Sequence, residues 1–148
     1  MGSLKLPDSG IIYIDSQILV YTVESHPKYA PALLPLWTAS REGVIQIITS
    51  ELAFLEVMVR PIREADQKLQ RDYVEILLNS DIRLHGIDRL ILLDAAYLRA
   101  AIPSLRTPDA IHVATARSIH CDLFLTNDRG IRQVPGLPVA FLEDIVST

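Results

Sequence analysis

Apolar residues come in short bursts separated by stretches of helical spacing, and that alternation predicts an α/β chain with a mostly parallel sheet. Ile11–Ile14 is a four-residue apolar, largely β-branched run, the signature of a buried strand. A helix through Ser16–Tyr21 follows. Pro27–Ser40 reads as a second helix carrying Leu33, Leu34, Leu36 and Trp37. Ile45–Ile48 is the next strand. Thr49 and Ser50 then offer hydroxyls to cap a helix that runs to about Val59, ahead of Pro61.

The second half repeats the theme. Ile62–Leu78 has helical spacing at Leu69, Tyr73, Ile76 and Leu77, and Ile82–His85 is a third strand. Asp88–Ala101 is a helix with Leu90, Leu93, Ala96 and Tyr97 expected on one apolar face. Thr107–Pro108 opens a helix to about Ile119, with Thr107 as cap and Pro108 in the first turn. Leu123–Leu125 is a fourth strand and Val139–Phe141 a fifth. No repeat, low-complexity stretch or linker interrupts this. One domain is expected over residues 11–148, preceded by a tail, 1–10.

Composition narrows the class. The chain has 148 residues, 49% of them hydrophobic, enough for a sizeable core in one domain. A single cysteine, Cys121, rules out an internal disulfide and fits a reducing compartment. It reads as a buried structural thiol. No secretory or membrane-spanning segment stands out, so a cytoplasmic location is expected, with no membrane partner. The net charge of −4 taken alone disfavours a nucleic-acid partner. Two basic groups qualify this: Arg60, Arg63, Lys68 and Arg71, and then Arg117, Arg129 and Arg132. They could still hold a polyanion, or form a solvated helix surface.

Several chemistries lack their motifs. There is no dinucleotide or P-loop glycine pattern, no nucleophile elbow, and no zinc-ligand spacing among His26, His85, His112 and His120. What remains is a set of acids at strand ends and helix starts, where open α/β sheets place their ligands. Asp15 follows the first strand directly; it could equally cap the next helix. Asp128 lies just past the fourth strand, where a turn would also explain it. Asp109 sits in a first helical turn, favoured there by the helix dipole. Glu56 is flanked by apolar residues and needs a partner or a metal, since a lone buried carboxylate is costly. Glu51 competes with it, but five helical steps turn about 500°, so the two point away from each other.

If these carboxylates converge, they repel unless a cation intervenes. Oxygen-only ligands favour magnesium, and the chemistry that follows is phosphodiester hydrolysis.

Four blocks carry a family resemblance: Ile-Tyr-Ile-Asp-Ser at 12–16, Thr-Ser-Glu-Leu-Ala-Phe-Leu-Glu-Val at 49–57, Arg-Thr-Pro-Asp-Ala-Ile-His-Val-Ala-Thr-Ala at 106–116, and Cys-Asp-Leu-Phe-Leu-Thr-Asn-Asp at 121–128. Their order and spacing resemble the PIN-domain family, and within it the VapC-like toxin ribonucleases. The resemblance implies a three-layer α/β/α sandwich around a central, mostly parallel sheet of four to five strands. It implies a nuclease that cleaves RNA with a divalent ion, magnesium or manganese. Asp15, Glu56, Asp109 and Asp128 fall on the family's acidic positions; Asp15, Asp109 and Asp128 would hold metal, with Glu56 as ligand or water-orienting base. Ser16, Thr126 and Asn127 fall on accessory positions, and Gln17 departs mildly from the family's pattern. His112 could touch substrate or simply pack. Relatives of this kind are held by a small antitoxin and form homodimers, and the apolar stripe Leu33–Trp37 is a candidate contact surface or core. The alternative is a catalytically weak PIN-fold module that binds RNA or protein. A phosphotransferase on a similar sheet is disfavoured, because no second acid follows Asp15 until Glu24.

Overall fold

The computed structural model describes residues 4–146, with the side chains of Arg132 and Gln133 outside the description. Five strands form one parallel sheet: β1 (Gly10–Ile14), β2 (Ile45–Ser50), β3 (Arg83–His85), β4 (Leu123–Thr126) and β5 (Val139–Phe141). Their order is β3-β2-β1-β4-β5. The central strand β1 pairs with β2 on one side (Ile12 opposite Ile47) and with β4 on the other (Ile12 opposite Leu123). The chain therefore builds outward in one direction as far as β3, then returns to β4 and builds the other way. The reversal leaves a crevice beyond the carboxyl ends of β1 and β4.

Side-chain alternation along β1 feeds two cores. Ile12 and Ile14 pack on one face with Ile18, Leu33, Leu36, Val57, Tyr73 and Leu77. Tyr13 points to the other face, with Phe124, Ile91, Leu98, Leu105, Val113 and Ala114. Strands buried on both faces read as continuous apolar runs, which is why their sequences are so legible. The helices covering the first face are α1 (Ser16–Val23), α2 (Tyr29–Ala32), α3 (Leu34–Arg41), α4 (Glu51–Arg63) and α5 (Gln67–Leu78). On the second face lie α6 (Arg89–Ala101) and α7 (Thr107–Ser118), and a short α8 (Leu142–Val146) follows β5. The result is the three-layer α/β/α sandwich. No helix among the described residues is long and apolar enough to cross a membrane.

Several local expectations need correction. The helix expected over 27–40 is two short helices, because Pro31 and Pro35 lack the amide hydrogen an unbroken helix would need there. Leu33 and Leu36 are fully buried while Leu34 is exposed, so the stripe Leu33–Trp37 is mainly core. Conversely, α4 runs through Pro61 to Arg63. Pro61 is buried, and its carbonyl accepts from the Asp66 N–H (2.8 Å) and the Gln70 side chain (3.2 Å), which ties the end of α4 to the start of α5.

The face of α6 is also different. Ile91, Ala95 and Leu98 are buried, whereas Leu90, Leu93 and Tyr97 are 76%, 54% and 69% exposed. The helix is apolar on more than one side, so spacing alone could not choose between them. Finally, Thr107 does not cap α7. Arg106 occupies that position without a side-chain cap, and the Thr107 hydroxyl accepts from Arg99 instead (2.8 Å). Leu4, within the stretch read as a tail, is buried against the first core.

Candidate active site

Asp15 caps α1 and faces the crevice at once. Its Oδ1 accepts from the Ile18 N–H (3.4 Å), and its Oδ2 accepts the Thr126 hydroxyl proton. The capping reading is therefore realised, in a side chain that also borders the cavity. Burial raises its pKa above the usual carboxylate value, with the Thr126 hydrogen bond and the nearby His112 opposing. Thr126 also accepts from the Asp128 N–H (2.9 Å), which ties the end of β4 to the end of β1. Asp128 in turn accepts from the Gly130 N–H (2.9 Å) and opens a short 3-10 turn, Arg129–Gln133.

Asp109 enters from the first turn of α7 and meets Asp128. Burial pushes its pKa up to about 6, helped by the hydrogen bond and charge of Asp128. A shared proton is what two neighbouring carboxylates adopt without a cation between them. Arg106 opposes the rise. Its Nε donates to Asp109 (3.2 Å) and its Nη2 reaches Asp128 (3.5 Å). Arg106 is a site residue the sequence reading did not single out. It stands in neither basic group, and only the fold brings it to an acid 22 positions on.

Glu56 projects from α4, and the partner its setting demands is His112, at 2.6 Å from Nε2 to Oε1. His112 is buried, and its Nδ1 lies 2.6 Å from the Tyr13 hydroxyl. Glu51, at the opening of α4, is exposed. Packing explains His112 only in part, since it also borders the cavity that Glu56 faces.

The carboxylates line one open cavity of about 340 Å³. Asp15, Glu56, Asp109 and Asp128 supply its acids; Arg106 and Arg129 supply cations; Ser16, Gln17, His112 and Asn127 complete the wall. Asn127 also braces the fold, its Oδ1 accepting from the Glu143 N–H (2.7 Å) and its amide donating to Tyr21 (3.2 Å). Of the other basic residues, Arg60 pairs with Glu24, Lys68 with Asp72 and Arg117 with Asp94, so much of both basic groups serves the surface of the fold. Arg129 pairs with Asp144 (2.7 Å) beside the cavity, and the Arg132 side chain lies outside the described residues. Cys121 is buried and its thiol is pushed up to about 11, so it stays protonated at neutral pH.

Among the described residues, no three His, Cys, Asp or Glu side chains form a ready-made metal cage. The donors present are mainly oxygens around an open space, carboxylates with a hydroxyl and amides, beside one imidazole, and Asp109 and Asp128 stand next to each other. That set suits a hard cation that retains several waters and takes one or two carboxylates directly, which is how magnesium is commonly bound. It does not suit a structural zinc, which wants four closely set ligands, mostly nitrogen and sulfur.

Comparison with known proteins follows the same lines. A family model described as PIN domain matches residues 12–137. No curated protein sequence matches the chain. Solved structures do match in fold. One is VapBC2 from Rickettsia felis bound to a promoter DNA fragment, with a TM-score of 0.71 and 16% identity, covering 88% of this chain and 98% of that one. A toxin–antitoxin complex from Klebsiella pneumoniae gives 0.65 and 23%, covering 88% and 97%. VapC20 of Mycobacterium tuberculosis, described as a toxin cleaving the sarcin–ricin loop, gives 0.64 and 14%, covering 76% and 86%.

Proposed function

The chain belongs to the PIN domain family, and from that premise we propose that it is a magnesium-dependent endoribonuclease acting as the toxin of a toxin–antitoxin pair. One observation carries the reading: acids from β1, α4, α7 and the end of β4 line a single cavity at the point where the strand order reverses. Asp15, Asp109 and Asp128 would hold the divalent ion, in part through water. The ion supplies, when bound, Lewis-acid stabilisation of the charge that develops on a phosphodiester and a lower pKa for water beside it.

The chain's own residues do the rest. Glu56 orients the attacking water and accepts its proton. Arg106 and Arg129 give the cavity its positive edge, where a phosphate oxygen can replace the acids they now pair with. Thr126 holds Asp15 in place, and Ser16 stands where a substrate group would meet the start of α1. The structural neighbours described as toxin–antitoxin complexes support a small antitoxin as partner. The exposed apolar side chains of α6 offer a surface for the second copy of a homodimer.

A second reading, a PIN-fold module that binds RNA or protein but cuts poorly, has one observation in its favour: Arg106 bridges two of the acids that metal would need. Incubation of the purified chain with labelled RNAs separates the two. The nuclease reading expects magnesium-dependent cleavage that falls by about 10²-fold or more in Asp15→Asn. Binding without cleavage, with or without magnesium, would favour the module. Cleavage indifferent to both metal and substitution would mean another mechanism.

A further inference from the structure

We propose that His112 is a positioning residue for Glu56, held at its other ring nitrogen by Tyr13, so that a buried chain of two hydrogen bonds fixes the carboxylate that faces the cavity. The inference rests on the nuclease reading for its catalytic consequence, though not for its geometry. Three elements from both layers of the fold meet in this chain: Tyr13 from β1, His112 from α7 and Glu56 from α4.

The proton positions follow from counting donors and acceptors. An ionised Glu56 only accepts, so the 2.6 Å contact requires hydrogen on His112 Nε2. Nδ1 of a neutral ring must then accept, and the Tyr13 hydroxyl at 2.6 Å is its partner. The phenol is suited to donate. Burial, with Asp15 and Glu56 nearby, raises its pKa well above the usual value, so it keeps its proton. Thr49 and Ser50 also lie beside the phenol, and the Thr49 hydroxyl gives its own proton to the Ile14 carbonyl (2.7 Å). Nδ1, at 2.6 Å, is the close acceptor for the phenol proton.

Packing fixes the two rings. Tyr13 stacks on Phe124 with centroids 5.0 Å apart, and it meets His112 edge-on at 5.8 Å. The His112 side chain is only 3% exposed, whereas that of Glu56 is 24% exposed. The rigid end of the chain is therefore inside and the working end is at the cavity. With Oε1 committed to His112, Oε2 is the oxygen left to face the cavity. A partner that sets the tautomer of a ring and thereby orients a working group is a recurrent device in metal-dependent sites.

The first measurement needs no activity: the imidazole nitrogen chemical shifts of His112 in the full chain at neutral pH. Hydrogen is expected on Nε2, with a shifted Nδ1 resonance in Tyr13→Phe, which removes the hydroxyl that meets Nδ1 and keeps the ring packing. A ring with hydrogen only on Nδ1, or a Tyr13→Phe spectrum identical to the parent, would overturn the proposal. The second measurement is kinetic. His112→Met should lower kcat roughly 10- to 100-fold with KM nearly unchanged and the thermal midpoint retained. His112→Gln, whose amide can donate from the place of Nε2, should recover most of the loss even if the methionine variant folds poorly. In a Glu56→Gln background, His112→Met should cost nothing more. Additive losses, or no recovery with glutamine, would mean that His112 does not act through Glu56. If the parent cleaves no RNA, the nuclease reading fails, and the nitrogen shifts still decide the proton chain.

Discussion

At the residue scale, the acids are in tension without a cation. Asp109 has an ordinary carboxylate value of 3.8 and a folded value of about 6. The folded state thus binds this proton more tightly than the unfolded chain does. The stability it contributes is complete below about pH 4 and is withdrawn as pH rises through about 6. The metal-free protein should therefore have a thermal midpoint that falls between pH 4 and 7 by more than in Asp109→Asn. At neutral pH, magnesium at about 100 times its dissociation constant should restore about 2.7 kcal/mol. A pH dependence identical in the two proteins would contradict this. Arg106 is set against the same pair of acids; Arg106→Ala should weaken RNA binding evenly across sequences and lower the salt slope by about one. Asp15 and Asp128 were legible because they stand at the ends of apolar runs. The reach of Arg106 to Asp128, 22 positions on, and the role of His112, whose partners lie 56 and 99 positions away, were not, since no local pattern encodes such pairings.

At the element scale, the sheet was the legible part. The central strands β1 and β4 are buried on both sides and appear as compact apolar runs, and the edges of all five strands were read to within about two residues. The helices were harder for different reasons. Pro35 falls just past the break between α2 and α3, where an unbroken helix would need its N–H, whereas Pro61 sits inside α4, whose end is tied down through the Pro61 carbonyl. The core side of α6 is a second apolar face, Ile91, Ala95 and Leu98, and the four residues read as one face do share a side, the outward one. That face now has a testable role: Leu93→Glu should shift the solution mass from dimer to monomer in light scattering, without loss of thermal stability. A parent that is monomeric at every concentration would contradict the homodimer. The cap of α4 was read correctly, since Ser50 accepts from the Leu52 N–H (3.0 Å). Ser50→Ala should cost about 1 kcal/mol in urea unfolding.

At the scale of the whole molecule, topology explains why acids so far apart in sequence share one cavity. A parallel sheet points all its carboxyl ends the same way, and the change of direction between β1 and β4 leaves room there. Asp15 and Asp128 arrive by position at those strand ends; Asp109 and Glu56 arrive on helices from opposite layers. A net charge of −4 is compatible with a polyanionic substrate if a divalent ion neutralises the cavity and Arg106 and Arg129 rim it. The most direct test is a crystal of the full chain soaked in manganese and measured at a wavelength where manganese scatters anomalously. The account predicts an anomalous peak in the cavity bordered by Asp15, Asp109 and Asp128, with the Arg106 guanidinium displaced from the pair it now bridges. An empty cavity at saturating manganese, or a peak only elsewhere on the molecule, would contradict it.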